Sequence, residues 1–306
     1  MTSEGWDSRE TASFFAIPPA SIRIDPAALS CTAMTSLFSD RIAIITGAAS
    51  GIGLALSREL CARGAVVVMA DRDAAGLAAA IASLGGAGLR ASSAVVDVTD
   101  AAAVRKLIGG AVARHGRLDY LFNNAGIGVV GDARDLSLED WRTVVDTNLF
   151  GTVHGMAAAY PVMAKQGFGH IVNTASLAGL VPSPGEISYT ASKYAVVGLS
   201  ESLRIEARDL GVKVSVVCPG LIDTPFLRNI KLIGIDRQQL LQILPGLMAP
   251  EHCARKILRG VERNKPIILV TSMAWWFWWI NRISPGLMRR IWLRFTRKVR
   301  KLRKNV

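Results

Sequence analysis

From residue 42 onward, short β-branched and apolar runs alternate with longer stretches of helical periodicity, and this alternation constrains the fold more than any other feature of the chain. Runs such as Val66-Val67-Val68-Met69 and Val214-Ser215-Val216-Val217 are nearly continuous in apolar character, as strands covered on both faces must be. The pattern predicts strands at 42–46, 66–70, 91–96, 119–122, 170–174, 213–217 and 267–270. Helices are expected at about 52–63, 74–84, 100–115, 137–164, 188–210 and 250–262. Crossovers of this length join parallel strands, which gives an α/β fold with helices on both faces of the sheet. Residues 221–249 break the rhythm with Pro225, Gly234, Pro245 and Gly246, and read as a lid or pocket wall just beyond a strand end.

At 306 residues the chain is long enough for one large core with extensions. A net charge of +12 suggests nucleic acid until it is located. Ten Arg and Lys and no acid lie between Arg282 and Val306, so Met1 to Asn281 carries only +2. With no recognition fold beside the charge, nucleic acid is not the expected partner. Cys31, Cys61, Cys218 and Cys253 form neither a CxxC pair nor a cluster with histidine, so no metal is expected and a reduced, cytoplasmic setting is. Met1 to Asp40 mixes Ser, Thr, Pro and Ala without periodicity and shows no secretory signal. It reads as a poorly ordered extension, with a start at Met34 or a short ordered flap as alternatives.

The first strand runs into Thr46-Gly47-Ala48-Ala49-Ser50-Gly51-Ile52-Gly53. Glycines after a strand permit a tight turn, close approach of a phosphate-bearing cofactor and close packing of the next helix, whose N-terminus then faces the pyrophosphate. Alone, such a turn is also an ordinary strand–helix connection. Asp71, ending Val68-Met69-Ala70-Asp71-Arg72, supplies the context. A carboxylate there accepts hydrogen bonds from both adenosine ribose hydroxyls and repels a 2′-phosphate, which favours NAD over NADP; Arg72 is the dissenting residue.

Tyr189 and Lys193 stand one helical turn apart, with Ser176 thirteen residues upstream of Tyr189. A phenol of ordinary pKa near 10 is a poor base at neutral pH. A neighbouring ammonium and a positively charged cofactor ring favour the phenolate, which can then exchange a proton with an alcohol or carbonyl oxygen while hydride moves. Ser176, ending a strand, is placed to hold that oxygen. By itself a Tyr and Lys at this spacing are also a common surface pair on an amphipathic helix.

Taken in order, Thr46-Gly-x-x-x-Gly51-Ile52-Gly53, Asp97-Val98, Asn123-Asn124-Ala125-Gly126, Asn148, Ser176, Tyr189-x-x-x-Lys193 and Pro219-Gly220 resemble the short-chain dehydrogenase/reductase family in its single-domain branch, from Arg41 to about Val270. The resemblance implies a Rossmann-type doubly wound seven-stranded sheet of order 3-2-1-4-5-6-7, NAD(P)-dependent alcohol or carbonyl chemistry, and a homodimer or homotetramer. It also implies a catalytic set of Asn148, Ser176, Tyr189 and Lys193, with Lys193 binding the nicotinamide ribose and Asn148 anchoring a proton-relaying water. The implied cofactor contacts are Gly47, Ser50, Gly51, Ile52, Gly53, Asp71, Arg72, Asp97, Val98, Asn124, Ala125, Gly126, Tyr189, Lys193, Pro219, Gly220, Ile222 and Thr224. Thr224 is the candidate for the carboxamide.

A substrate pocket is expected from Leu177, Val181, Pro182, Leu221, Phe226, Leu227, Ile230, Leu244 and Leu247. An apolar slot of this kind suits a lipophilic secondary alcohol or ketone, such as a steroid, a retinoid-like molecule or a fatty or terpenoid alcohol; the alternative is that these residues only bury the lid. The catalytic domain is therefore placed at residues 41–272, with the rest a Trp-rich and basic extension. Its Trp275-Trp276-Phe277-Trp278-Trp279 is too short an apolar stretch to span a bilayer, and 287–299 has helical spacing. Attachment to an anionic membrane surface and packing over the cleft or a subunit contact are both open readings. The rival to an NAD-dependent oxidoreductase is a non-catalytic nucleotide-binding sensor or scaffold.

Overall fold

The computed structural model of the protein describes residues 36–243 and 246–301. The expectations placed on residues 1–35, including Met34, and on Leu244 lie outside them. The strands are β1 (Ile42–Thr46), β2 (Val66–Asp71), β3 (Ala91–Val95), β4 (Tyr120–Asn123), β5 (Val129–Val130), β6 (Gly169–Thr174), β7 (Val212–Cys218), β8 (Lys231–Leu232) and β9 (Ile267–Leu269). The helices are α1 (Gly51–Ala62), α2 (Ala74–Ala82), α3 (Ala101–His115), α4 (Leu138–Val145), α5 (Gly151–Gln166), α6 (Ile187–Glu206), α7 (Pro225–Asn229), α8 (Arg237–Ile243), α9 (Pro250–Glu262), α10 (Ser272–Ile283) and α11 (Pro285–Lys301).

Seven strands form one parallel sheet in the order β3-β2-β1-β4-β6-β7-β9, which is 3-2-1-4-5-6-7 when its strands are numbered alone. This is the Rossmann-type arrangement. Neighbouring residues serve opposite faces: Ile45 and Met69 pack with Leu56, Leu60, Ile257 and Leu258 of α1 and α9. Ile44 and Val68 pack with Val104, Leu107, Ile108, Ala159 and Met163 of α3 and α5. The strand period of two explains why β1 and β2 need apolar residues at every position. Side-chain caps start the helices: Asp73 accepts from Gly76 N, and Asp100 from Ala102 N and Ala103 N.

Three departures from the sequence pattern bear on function. The long helix expected over 137–164 is two helices joined by a π-helical turn, Asp146–Phe150, which carries Asn148. The widened turn leaves the Asn148 carbonyl to the Thr152 hydroxyl at 2.8 Å. A second, two-stranded sheet pairs Val129 with Lys231 and Val130 with Leu232, so the segment after β4 is tied to the irregular loop after β7. Finally, the Trp-rich segment is helix α10, followed at once by α11, so residues 272–301 form a helical hairpin.

Candidate active site

The sheet's C-terminal edge carries the glycine turn. Gly47 has φ +65°, and a Cβ there would stand 2.8 Å from Ala125 Cα; one on Gly53 would stand 2.1 Å from the Gly47 carbonyl oxygen. Only glycine permits this approach of turn to helix. The turn is fastened from β4: Asn124 Nδ2 donates to Thr46 O at 3.0 Å, and Asn124 N and Ala125 N donate to Thr46 Oγ1 at 3.0 and 3.1 Å. Asp71 faces the turn, its carboxylate accepting from Ala49 N and Asp73 N, each at 3.1 Å. Arg72 is exposed and lies towards Asp97, whose carboxyl is held below its usual range chiefly by Thr99 hydrogen bonds, with Arg72 adding to them. Val98 is buried against Gly151, and Ser50 starts α1 with its side chain uncommitted as a cap. This glycine turn at the start of α1, with the Asp71 carboxylate at its rim, fits a nicotinamide dinucleotide.

Beside the cradle the four polar residues converge. Asn148 and Ile127 exchange two hydrogen bonds, Ile127 N to Oδ1 at 2.8 Å and Nδ2 to Ile127 O at 3.0 Å; Nδ2 also reaches Ser192 Oγ at 3.1 Å. A Cβ on Gly126 would lie 3.2 Å from Asn148 Oδ1 and 3.4 Å from Lys193 Nζ, so this glycine lets both groups close on the same point. Lys193 is buried, and desolvation lowers its pKa to about 8. Its ammonium sits 5.6 Å from the centre of the Tyr189 ring. Ser176 begins a short helical turn, its hydroxyl accepting from Ala178 N at 3.1 Å and hydrogen bonding the Tyr189 phenol.

The sequence argument expected Lys193 to favour the phenolate. In the protein alone burial outweighs everything else and pushes the Tyr189 phenol up, with the Ser176 bond opposing it and the Glu186 charge reinforcing it. Tyr189 is therefore held protonated in the protein alone. Glu186, three residues before Tyr189, was not foreseen. Its carboxyl accepts from Ser183 Oγ at 3.1 Å, and burial pushes its pKa up.

Of the expected pocket residues, Phe226 comes to Tyr189, their rings 5.8 Å apart, and Phe226 and Ile230 together crowd the space above Gly128. Thr224 is buried with its methyl against Gly51, Ile222 is buried beside it, and Leu227 is half-buried on α7. Leu177 and Val181 pack with Ala274, Phe277 and Trp292 of the C-terminal hairpin. Pro182 is exposed, while Leu221 and Leu247 line a separate open cavity of about 480 Å³ with Met248, His252 and Met273. Pro219 accepts from Leu177 N at 2.8 Å, and Gly220 is pressed against Thr271. Among the described residues no group of three His, Cys, Asp or Glu is placed to hold a metal ion.

The short chain dehydrogenase model matches residues 41–232. The chain is 42% identical over 191 residues to 1-deoxy-11-beta-hydroxypentalenate dehydrogenase of Streptomyces avermitilis, covering 61% of this chain and 71% of that one. It is 36% identical over 213 residues to 2,5-dichloro-2,5-cyclohexadiene-1,4-diol dehydrogenase LinX of Sphingobium indicum, covering 70% and 85%. Among solved structures it is similar to a short chain dehydrogenase/reductase of Burkholderia phymatum in complex with NAD, with a TM-score of 0.75, 30% identity, and coverage of 82% and 95%. The family match spans more than half of the chain and contains the whole constellation around Tyr189, and the chain belongs to the short-chain dehydrogenase family of oxidoreductases.

Proposed function

We propose that the protein is an NAD-dependent oxidoreductase interconverting a lipophilic secondary alcohol and its ketone. The observation that carries this is the convergence of Ser176, Tyr189, Lys193 and Asn148 at one end of the sheet, next to a glycine cradle with Asp71 at its rim. NAD, when bound, accepts or supplies the hydride. Ser176 holds the substrate oxygen and Tyr189 exchanges a proton with it. Lys193 binds the nicotinamide ribose, and Asn148, fixed by Ile127 and Ser192, positions a water beside the ammonium. Asp71 selects the unphosphorylated ribose.

The lipophilic substrate class is supported by the Phe226 ring beside Tyr189, by Ile230 next to it over Gly128, and by the apolar Leu177 and Val181 just after Ser176 in the chain. It is also supported by relatives named for a hydroxypentalenate and a chlorinated cyclohexadiene diol. On this reading the enzyme is a homodimer or homotetramer, and its basic C-terminal segment brings it to an anionic membrane surface where such substrates partition. The test is NADH fluorescence on mixing, then absorbance at the reduced-cofactor band with a panel of lipophilic ketones and alcohols. Turnover of at least one supports the reading. Cofactor binding with no turnover across a broad panel would instead mark a sensor.

A further inference from the structure

The hairpin of α10 and α11 has two unlike faces. Its inner face is seated beside the catalytic centre: Ala274 and Met288 are fully buried, and Phe277 and Trp292 pack on Leu177 and Val181, immediately after Ser176. Asn281 Nδ2 donates to the Leu180 carbonyl at 3.1 Å, and at the far end Arg300 pairs with Asp132 at 3.3 Å, so α11 reaches the loop that follows β5. The seam between hairpin and body is thus formed on Leu177 and Val181, two of the residues the sequence offered for the substrate pocket. It holds an unsatisfied group, since Trp292 Nε1 is buried with no hydrogen-bond partner. An orphaned donor of this kind disfavours the closed packing relative to an opened one in which it finds an acceptor.

The outer face carries large apolar groups in the open. Trp275, Trp276, Trp279 and Ile283 follow one another along α10, and Leu287 continues the stripe past the turn; Trp276 is 59% and Ile283 75% exposed. Arg282 lies over the Trp278 ring at 5.7 Å. From Met273 to Lys301 there are eight Arg or Lys and no acid. Tryptophan beside Arg suits the headgroup level of a bilayer, and bases without acids suit anionic lipid. No helix among the described residues is long and apolar enough to cross a membrane, so the fit is to a surface. A second copy of the same face would oppose eight bases with eight more, which repel.

We propose that this hairpin is a docking surface for an anionic lipid bilayer and, because its inner face packs on Leu177 and Val181 just after Ser176, that docking loosens this seam and admits substrate dissolved in the membrane. What passes through rests on the lipophilic-substrate reading; the docking itself does not. The test uses the full chain with vesicles of phosphatidylcholine alone or mixed with phosphatidylserine. Trp275→Ser, Trp276→Ser and Trp279→Ser are combined in one comparison variant, because all three rings are exposed and none lies in the catalytic centre. The intact chain should sediment with the phosphatidylserine vesicles and its tryptophan emission should move to the blue, and the variant should lose about tenfold or more of that partitioning. The same vesicles should raise kcat/KM for a long-chain methyl ketone by about tenfold, leaving a short water-soluble ketone unchanged. The variant should retain the rate on the short ketone. No binding to anionic vesicles at low salt, equal binding by the variant, or binding without any change in the ratio of long-chain to short-chain rates would each overturn the proposal. Turnover of the short ketone with none of the long one would sink the substrate reading instead. Sedimentation and emission would then decide the docking surface by themselves.

Discussion

Lys193 Nζ donates to the Thr174 main-chain carbonyl at 2.8 Å. This bond ties α6 to the last residue of β6, two residues before Ser176, so Ser176 and Tyr189, the proposed holder and proton carrier of the substrate oxygen, share one frame. A buried ammonium without such an acceptor would be strongly disfavoured, and even with it desolvation leaves Lys193 near 8.

Tyr189→Phe should keep the fold and the cofactor affinity and lower turnover about a thousandfold, because it removes only the proton carrier. The ring contacts with Phe226 and Lys193 survive the change. Steady-state rates and NADH titration measure both quantities; a rate close to that of the parent would hand the acid/base role to another residue.

Glu186 offers a pH test. Its charge raises the Tyr189 pKa, and Gln at this position keeps an acceptor for Ser183 while removing the charge. Ketone reduction needs the phenol protonated, so its rate falls as pH rises through the Tyr189 pKa. Without the carboxylate the phenol ionises at lower pH, and the alkaline limb should move down by about half a unit to one unit in Glu186→Gln. A limb that stays put or moves up contradicts the coupling.

His170 gives a stability test away from the site. Ser215 Oγ donates to the Lys265 carbonyl and so accepts from His170 Nε2 at 2.9 Å, which places a hydrogen on Nε2. Burial lowers the His170 pKa from 6.5 to about 3. The unfolded chain thus binds the extra proton between about pH 6.5 and 3, and stability falls as pH drops through that window. At pH 5 the loss relative to pH 8 is about 2 kcal/mol. His170→Gln should be less stable at pH 8 yet show a smaller drop in Tm on acidification, which thermal melts at the two pH values would reveal.

The parallel sheet and the glycine turn were legible because buried parallel strands and a phosphate-facing turn each demand residue types that stand out, as in Val66-Val67-Val68 and Gly47 to Gly53, whereas the strand order followed only from the family resemblance. Other parts left no such trace. The π turn at Asn148 depends on where helix hydrogen bonds go, and the Lys193 acceptor is a main-chain carbonyl, which any residue at 174 supplies. Glu186 was legible as an acid close to Tyr189, but its burial comes from loops packing around it. The expectation that Lys193 and the oxidised cofactor ring favour the phenolate left out desolvation, which a sequence does not display.

Asp71→Ala should weaken NAD and reduce discrimination against NADP, and the geometry says how. The carboxylate sits at the end of β2 with Ala49 N and Asp73 N pointing at it, so its oxygens are already oriented at the mouth of the glycine turn. Two ribose hydroxyls can donate to them, and each charge-assisted bond of this type contributes about 1.5–3 kcal/mol when buried, less at a solvated rim. Removing the acid deletes those bonds and the repulsion of a 2′-phosphate together, and frees Arg72, exposed one residue on, to approach that phosphate. NAD affinity should therefore fall by about tenfold or more while NADP affinity rises or holds. Paired titrations of NADH and NADPH fluorescence, with kcat/KM for both cofactors, measure the ratio directly. Equal use of the two cofactors by the parent protein would mean that Arg72 already governs the rim and that Asp71 serves the turn rather than the ribose.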